Sequence, residues 1–350
     1  MKILVTGGAG YIGATVISEL IQKGHTVKVY DKLYFGSNYL KDYQSRIEIV
    51  QGDIRKFDKE ILNDVNAVIH LAGFSNDPTA EFNPKANMEM NREGTRALAE
   101  ACIEKGIKKL TYASSASIYD KGLRASDEMQ DEETPVEPIA AYSTSKYEGE
   151  KVLLALAKEH PEFCPVILRQ GTVYGYSPRM RYDLVINTFV KKAFTDGKLN
   201  VFCGGTQWRP LVDVRDVARA HIACLEAPEE VVKGQIFNVC SGNYQVLELA
   251  HRVKSALKGI VDVNVEVDYE PGRIDRSYKL SGKKLEKAMD FKYLVSVEES
   301  ARNMALKIKK HLDSGGKLVD LDHPIHYNIT WMTHLADMEK KLKDMGGSVF

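Results

Sequence analysis

Tyr142 and Lys146 stand four residues apart in Tyr142-Ser143-Thr144-Ser145-Lys146, a spacing that puts both on one face of a helix. Free tyrosine has a pKa of about 10 and is protonated at neutral pH. An adjacent ammonium favours the phenolate, and a lowering of about three units corresponds to roughly 4 kcal/mol. The pair therefore reads as a base for a hydroxyl whose carbon gives up hydride to an oxidised nicotinamide. The spacing recurs at Tyr147 and Lys151. Five residues rotate a helix by roughly 140°, so the two pairs face different ways. Tyr142/Lys146 is preferred because a loop carrying Pro135 and Pro138 enters the helix there, which gives its side chains a route to a cleft. Tyr147/Lys151 is expected on solvated surface or at a subunit contact. Ser114-Ser115-Ala116-Ser117 follows the strand-like run Lys109–Ala113, at the carboxyl end where α/β sheets bind ligands. A hydroxyl there can hold the reacting oxygen, although a serine at a strand end also serves as a plain turn residue.

A second group suits a dinucleotide. In Thr6-Gly7-Gly8-Ala9-Gly10-Tyr11-Ile12-Gly13, glycines allow a tight turn, a close backbone approach to pyrophosphate and close helix packing. The following helix presents its N-terminus, with free N–H groups and a favourable dipole, to the phosphates. Asp31 ends the next strand-like run, about where an acidic residue meets the adenosine ribose hydroxyls. Its charge repels a 2′-phosphate and favours NAD over NADP, a preference that the neighbouring Lys32 weakens. Asp53, in Gly52-Asp53-Ile54-Arg55, is placed either at the adenine edge or as a helix N-cap.

These groups need a scaffold. Ile3–Val5, Thr26–Tyr30, Ile47–Val50, Ala67–Leu71, Lys109–Ala113 and Pro165–Arg169 read as strands, alternating with helices such as Tyr11–Lys23 and Gly94–Lys105 that end at Gly24 and Gly106. The alternation predicts an α/β, Rossmann-type, doubly wound parallel sheet over residues 1–175. A smaller mixed α/β substrate lobe is expected over 176–313, with Gly234–Val239 returning to the sheet. Residues 314–350 form an extension with a charged helix at Met332–Met345 and no readable role.

Composition narrows the function classes. With 350 residues and 44% hydrophobic side chains the chain can bury an enzyme-sized core. Lys+Arg 48 balances Asp+Glu 48, so no basic field exists for nucleic acid. The five cysteines lack metal-ligand spacing and read as reduced thiols. His323, His326 and His334 lack the partners of a recognisable metal site, so no metal is expected. The opening Met1–Thr6 run meets glycine too soon for a signal core or a membrane span, and a cytoplasmic location is expected.

Taken together, TGGAGYIG (6–13), HLAG (70–73), Asn91 in NREGT, SSAS–Y (114–119), YSTSK (142–146), WRPLVDVRDVARA (208–220), FNVCSG (237–242) and GRIDRSY (272–278) resemble the extended short-chain dehydrogenase/reductase family, in its group of NAD-dependent sugar-nucleotide epimerases and dehydratases. The likeness spans about residues 1–310 and is similar to the UDP-glucose 4-epimerase and GDP-heptose 4-dehydrogenase types. It implies a homodimer, NAD as cofactor and a nucleotide-diphosphate sugar as substrate. Ser115, Tyr142 and Lys146 match the catalytic triad. Gly7, Gly10, Tyr11, Ile12, Gly13, Asp31, Lys32, Asp53, Ile54, Leu71, Ala72, Gly73 and Asn91 match the cofactor site. Arg209 and Arg276 match positions that clasp the nucleotide diphosphate. Arg179 or Arg181 is expected at sugar or phosphate, and Ser117, Thr172 and Asn187 join the substrate side.

Two departures from the pattern carry information. Dehydratases and decarboxylases of the family have a carboxylate after the catalytic hydroxyl, where this chain has Ala116 and Ser117. Gln170-Gly171-Thr172 stands where many epimerases have an aromatic and an asparagine. The residues thus favour epimerisation through transient oxidation at the sugar C4, with a net 4-dehydrogenase or 4-keto reductase as the alternative and a non-catalytic NAD sensor as a third reading.

Overall fold

The computed structural model describes residues 1–119, 128–270 and 277–344. β1 (Lys2–Thr6), β2 (Thr26–Asp31), β3 (Ile47–Gln51), β4 (Ala67–His70) and β5 (Lys109–Ser115) join the strands Cys164–Gln170 and Ile236–Val239 in one sheet. Every pairing in this sheet is parallel. Their spatial order runs β3, β2, β1, β4, β5, Cys164–Gln170, Ile236–Val239. The order reverses between β1 and β4, and ligands of such sheets bind at that crevice, beyond the carboxyl ends of the strands. The Gly234–Val239 run does return to the sheet, pairing Ile236 with Ile167.

Alternation along the strands supplies both layers of the core. Ile3, Val5, Val27, Val29 and Ile69 face Ile17 and Leu20 of α1 (Tyr11–Gln22) and Ala218 and Ile222 of the Val214–Glu226 helix. Leu4, Val68, Leu110 and Ile167 face the other way, onto Leu98 of the Gly94–Glu104 helix and Val152 and Leu153 of the Ala141–Glu159 helix. A sheet buried on both faces explains the short, nearly continuous apolar runs in the sequence.

A separate apolar cluster joins the helices Val185–Thr195, Val246–Leu257 and Val297–Asp313 through Ile186, Val190, Leu249, Val253, Ala301 and Met304. A small mixed sheet lies at its border. Trp208–Asp213 runs parallel to Thr172–Tyr174 and antiparallel to Gly242–Gln245. The last segment makes two short turns and a helix over Asn328–Asp344, starting four residues before the predicted Met332. It anchors Leu321 in this second cluster, while Met332 packs against the apolar layer of the parallel sheet that holds Leu4, Val68 and Leu110. No helix of the described residues is long and apolar enough to cross a membrane.

The Ala141–Glu159 helix is fixed to the sheet by charge as well as by apolar packing. Glu150 is fully buried and forms an ion pair with Arg169 of the neighbouring strand, at 2.7 Å. The Ser114 hydroxyl also donates to Glu150, and Arg169 continues to the Tyr119 hydroxyl at 2.8 Å, which donates to Asn238 at 2.9 Å. Removing one partner of such a pair leaves a buried charge without compensation. Glu150→Ala is therefore expected to cost about 3–5 kcal/mol in urea unfolding. A loss below about 1 kcal/mol would show that the pair does not hold the helix to the sheet.

Candidate active site

The glycine loop lies at the crevice between β1 and β4. Gly7 has φ +70°, and a Cβ on it would meet the Ala72 backbone nitrogen at 2.7 Å. A Cβ on Gly13 would lie 2.3 Å from the Gly7 carbonyl oxygen. Only glycine lets the loop, the β4 exit and α1 come this close. The N-cap of α1 is Gly10, which offers no side chain to its first-turn N–H groups, and those groups stay available to an anion. Asp31 Oδ2 accepts from Ala9 N at 2.9 Å and Oδ1 from Leu33 N at 2.7 Å, which aims the carboxylate across the loop. Burial raises its pKa, and the two backbone donors pull it back down. Asp53 serves as the N-cap of the Ile54–Lys56 turn and is held at a pKa of about 2 by Arg55, while Lys32 approaches it at 3.4 Å. These residues, with Tyr11, Ile12, Ile54, Leu71, Ala72 and Gly73, line one cavity.

Ser115, Ser117, Tyr142 and Lys146 line the same cavity. Ser115 closes β5, and its hydroxyl oxygen accepts from Ser117 N at 3.1 Å and from the Ser117 hydroxyl at 2.9 Å. Tyr142 lies in the first turn of its helix, as the proline-bearing entry predicts, and Lys146 one turn deeper. The Lys146 amine donates to the Ala113 carbonyl at 2.9 Å and sits 4.9 Å from the centre of the Tyr112 ring. Burial brings its pKa down to about 7, with Glu150 opposing that shift. Tyr147 and Lys151 are not on the cavity wall: Lys151 pairs with Glu148 at the surface, and Tyr147 packs beside Ile118 and Tyr119.

Three arrangements lie behind the wall, and the first concerns Asn91, expected at the cofactor site from its motif. A π-turn over Glu89–Glu93 places Asn91 behind Gly73, where it donates to Phe74 O at 3.2 Å, Asn87 at 2.9 Å and Ser145 at 2.9 Å. Its Oδ1 has no partner. A Cβ on Gly73 would lie 1.9 Å from that oxygen, so the strand exit passes directly over Asn91. His70 bridges Thr6 and Thr95 at 2.7 and 3.0 Å, with burial lowering its pKa to about 3. Since Thr95 donates to Asn91 O, His70 is neutral with Nε2 as donor. The third feature is Glu150 itself, which extends the Tyr142/Lys146 face by one more turn and could have been sought at that spacing.

The Gly175–Asp183 loop forms the opposite wall. Tyr11 donates to Gly175 O at 2.6 Å and Ser177 donates to Tyr11 O at 2.6 Å, which joins the loop to α1. Thr172, Arg179 and Arg181 reach the cavity. Arg181 pairs with Asp183 at 2.8 Å on the side of Tyr142, while Arg179 lies over the Phe35 ring at 3.6 Å, on the side of Asp31. Asn187, expected at the substrate, is fully buried behind this wall. Its amide is taken up by Gly175 N at 2.9 Å, Tyr11 OH at 3.2 Å and Arg181 O at 2.8 Å; it positions the loop. Arg209 donates to Trp208 O at 3.0 Å and is absent from the cavity wall formed by the described residues. Arg276 lies outside the described residues. Asn328 and Met332 of the last segment do line the cavity.

Residues 3–240 match the NAD dependent epimerase/dehydratase family. The UDP-glucose 4-epimerase of Lactobacillus helveticus is 31% identical over 277 residues, covering 72% of this chain and 82% of that protein. A UDP-N-acetyl-alpha-D-glucosaminuronate decarboxylase of Bacillus cytotoxicus is 30% identical over 283 residues, covering 77% and 86%. The structure of UDP-glucuronic acid 4-epimerase from Bacillus cereus, in complex with UDP-glucuronic acid and NAD, superposes with a TM-score of 0.73 at 25% identity and covers 89% of this chain and 99% of its own.

The buried lysine gives a stability signature. Its pKa is about 7 in the folded chain against an ordinary 10.5. Between those values the unfolded chain keeps a proton that the folded chain has released, so stability from this group rises with pH there, and its burial is most costly below pH 7. The Tm of Lys146→Met minus that of wild type is expected to be more positive at about pH 6 than at about pH 9. A difference that does not change with pH would contradict the burial of a titrating amine.

Proposed function

The chain belongs to the NAD-dependent epimerase/dehydratase family, and from that premise we propose that it is a nucleotide-sugar 4-epimerase in which Tyr142 is the base. The observation that carries this reading is the shared cavity wall of Ser115, Tyr142 and Lys146, with the lysine amine buried on the Ala113 carbonyl. Gly7, Gly13 and the open first turn of α1 would hold the dinucleotide diphosphate, and Asp31 the adenosine ribose. When bound, NAD supplies a hydride acceptor that returns the hydride within the same cycle.

The protein's own residues handle the proton and the oxygen. Tyr142 Oη takes the proton of the sugar 4-hydroxyl, and the Lys146 ammonium stabilises the phenolate that does so. Because the Ser115 oxygen accepts from Ser117, its own proton is left to donate to the reacting sugar oxygen. After the 4-keto sugar has turned its other face, Tyr142 returns the proton to the same oxygen. The mixed lobe and the Gly175–Asp183 loop would carry the nucleotide and sugar, with Thr172 and Arg181 on the wall nearest the chemistry.

The carboxylates on the described wall are Asp31, which closes β2, and Asp53 and Asp77, which follow β3 and β4. Among the described residues, the end of β5 and the turn after it bring Ser115 and Ser117 to the wall and no acid. Water elimination needs a positioned acid and base at the carbons beside C4, so this site favours hydride and proton transfer.

Incubation with UDP-, GDP-, CDP- and dTDP-sugars is expected to give an inverted sugar without accumulation of reduced nicotinamide. A stoichiometric build-up of reduced nicotinamide with a keto sugar would identify a net 4-dehydrogenase, and no turnover on any sugar would favour a sensor. Tyr142→Phe should lower turnover at least about a hundredfold with NAD binding kept, whereas Tyr147→Phe should leave turnover near wild type. The reverse pattern would move the base to Tyr147.

A further inference from the structure

Arg179 is a buried cation with no ion-pair carboxylate among the described residues. Only 4% of it is exposed. Its Nη2 donates to the Asn328 side-chain oxygen at 2.7 Å and to Ile325 O at 3.2 Å, and its Nε has no hydrogen-bond partner. Burial lowers its pKa to about 9. Guanidinium groups resist deprotonation, so the site must hold a positive charge whose direct partners among the described residues are neutral oxygens and the Phe35 ring. Among the described residues on this wall, Arg181 is matched by Asp183, Lys32 by Asp53 and Asp31 by two backbone N–H groups, whereas Lys146, like Arg179, rests on a neutral carbonyl and an aromatic ring.

The surroundings identify the missing anion. Arg179 is on the cavity wall, within electrostatic reach of Asp31 and of Tyr11, the first residue of α1. Between a ribose-binding carboxylate and a helix N-terminus lies the diphosphate of a dinucleotide, and a guanidinium fork suits phosphate oxygens. Both groups that hold Arg179 belong to the last segment. That segment is tied to the first domain twice more, by Trp331 Nε1 donating to Tyr34 O at 2.6 Å and Asn328 Nδ2 donating to Ser75 Oγ at 3.0 Å. Its other attachment is to the second cluster, through Leu321 and the Lys191 bond to Tyr327 OH at 2.5 Å.

We infer that Arg179 neutralises the diphosphate of the bound dinucleotide and that the segment from Leu318 to Asp344 is a strap that positions it through Asn328. The inference rests on the dinucleotide reading of the cavity and assigns a role to a segment outside the match to the family. Arg179 is thereby separated from Arg181, two residues on, which faces the reacting sugar.

The test is direct binding. Affinities for NAD, and for UDP in NAD-saturated protein, are measured by calorimetry for wild type, Arg179→Met, Arg179→Lys, Asn328→Ala and Asn328→Asp. Arg179→Met should weaken NAD at least tenfold with UDP within twofold, and Arg179→Lys should recover part of that loss. Asn328→Asp separates this role from a purely structural one. A carboxylate at that position would pair with Arg179 and keep or raise Tm, yet it would compete for the guanidinium and weaken NAD at least tenfold. Asn328→Ala should weaken NAD severalfold, and NAD should slow tryptic cutting after Lys317 in wild type more than in this variant. NAD affinity unchanged in both Arg179→Met and Asn328→Asp would overturn the inference. So would loss of UDP binding with NAD kept, which would assign Arg179 to the substrate diphosphate. Failure of wild type to bind NAD would instead overturn the cofactor reading itself.

Discussion

A lysine amine held inside a protein is the constraint on which the rest of this site depends. Water no longer solvates Lys146, and one carbonyl oxygen, a tyrosine ring and a distant carboxylate replace it. β5 places the carbonyl and the ring, and the lysine's own helix places the carboxylate. The carbonyl comes from Ala113 on β5, so the helix must run close along that strand. Gly149 permits it, since a Cβ there would lie 2.5 Å from the Tyr112 hydroxyl. The carboxylate is Glu150, whose own burial requires Arg169, which in turn requires Tyr119 and Asn238. A polar chain thus crosses several strands and keeps one amine near the point of gaining or losing its proton.

The sequence was most informative where a covalent pattern determines a backbone shape. The strand–helix alternation, the glycine loop and Asp31 follow from sterics and periodicity, and all appear where the residues put them. Helix angle told the Tyr142 and Tyr147 pairs apart, and the proline-bearing loop entering at Tyr142 ranked them. Legibility ended where side chains are shared between elements distant in the chain. Asn187 is a polar residue in an expected substrate region, yet two groups of the Gly175–Asp183 loop and the Tyr11 hydroxyl of α1 use up its amide. Nothing local in the sequence records that competition.

The two arginines of the Gly175–Asp183 loop show how a small difference in position divides tasks. They are two residues apart, and Asp183 pairs with one of them. The paired group is electrostatically moderated and lies toward Tyr142. The other keeps its full charge and lies toward Asp31. A single loop, tied to α1 by Tyr11 and Ser177, therefore presents two cations of different strength to two ends of one cavity.

The bond from Trp331 to Tyr34 spans 297 residues, and this separation bears on how the protein is made. During synthesis the first domain emerges and can collapse on local contacts while its cavity still lacks the wall formed by Asn328 and Met332. Closing so long a stretch costs conformational entropy that grows only logarithmically with length, yet contacts between distant parts of a chain form late and slow the search. The newborn protein is thus expected to pass through a stage in which its sheet is complete and its grip on small molecules is not. In that interval a chaperone or a protease meets a crevice whose last wall is still missing.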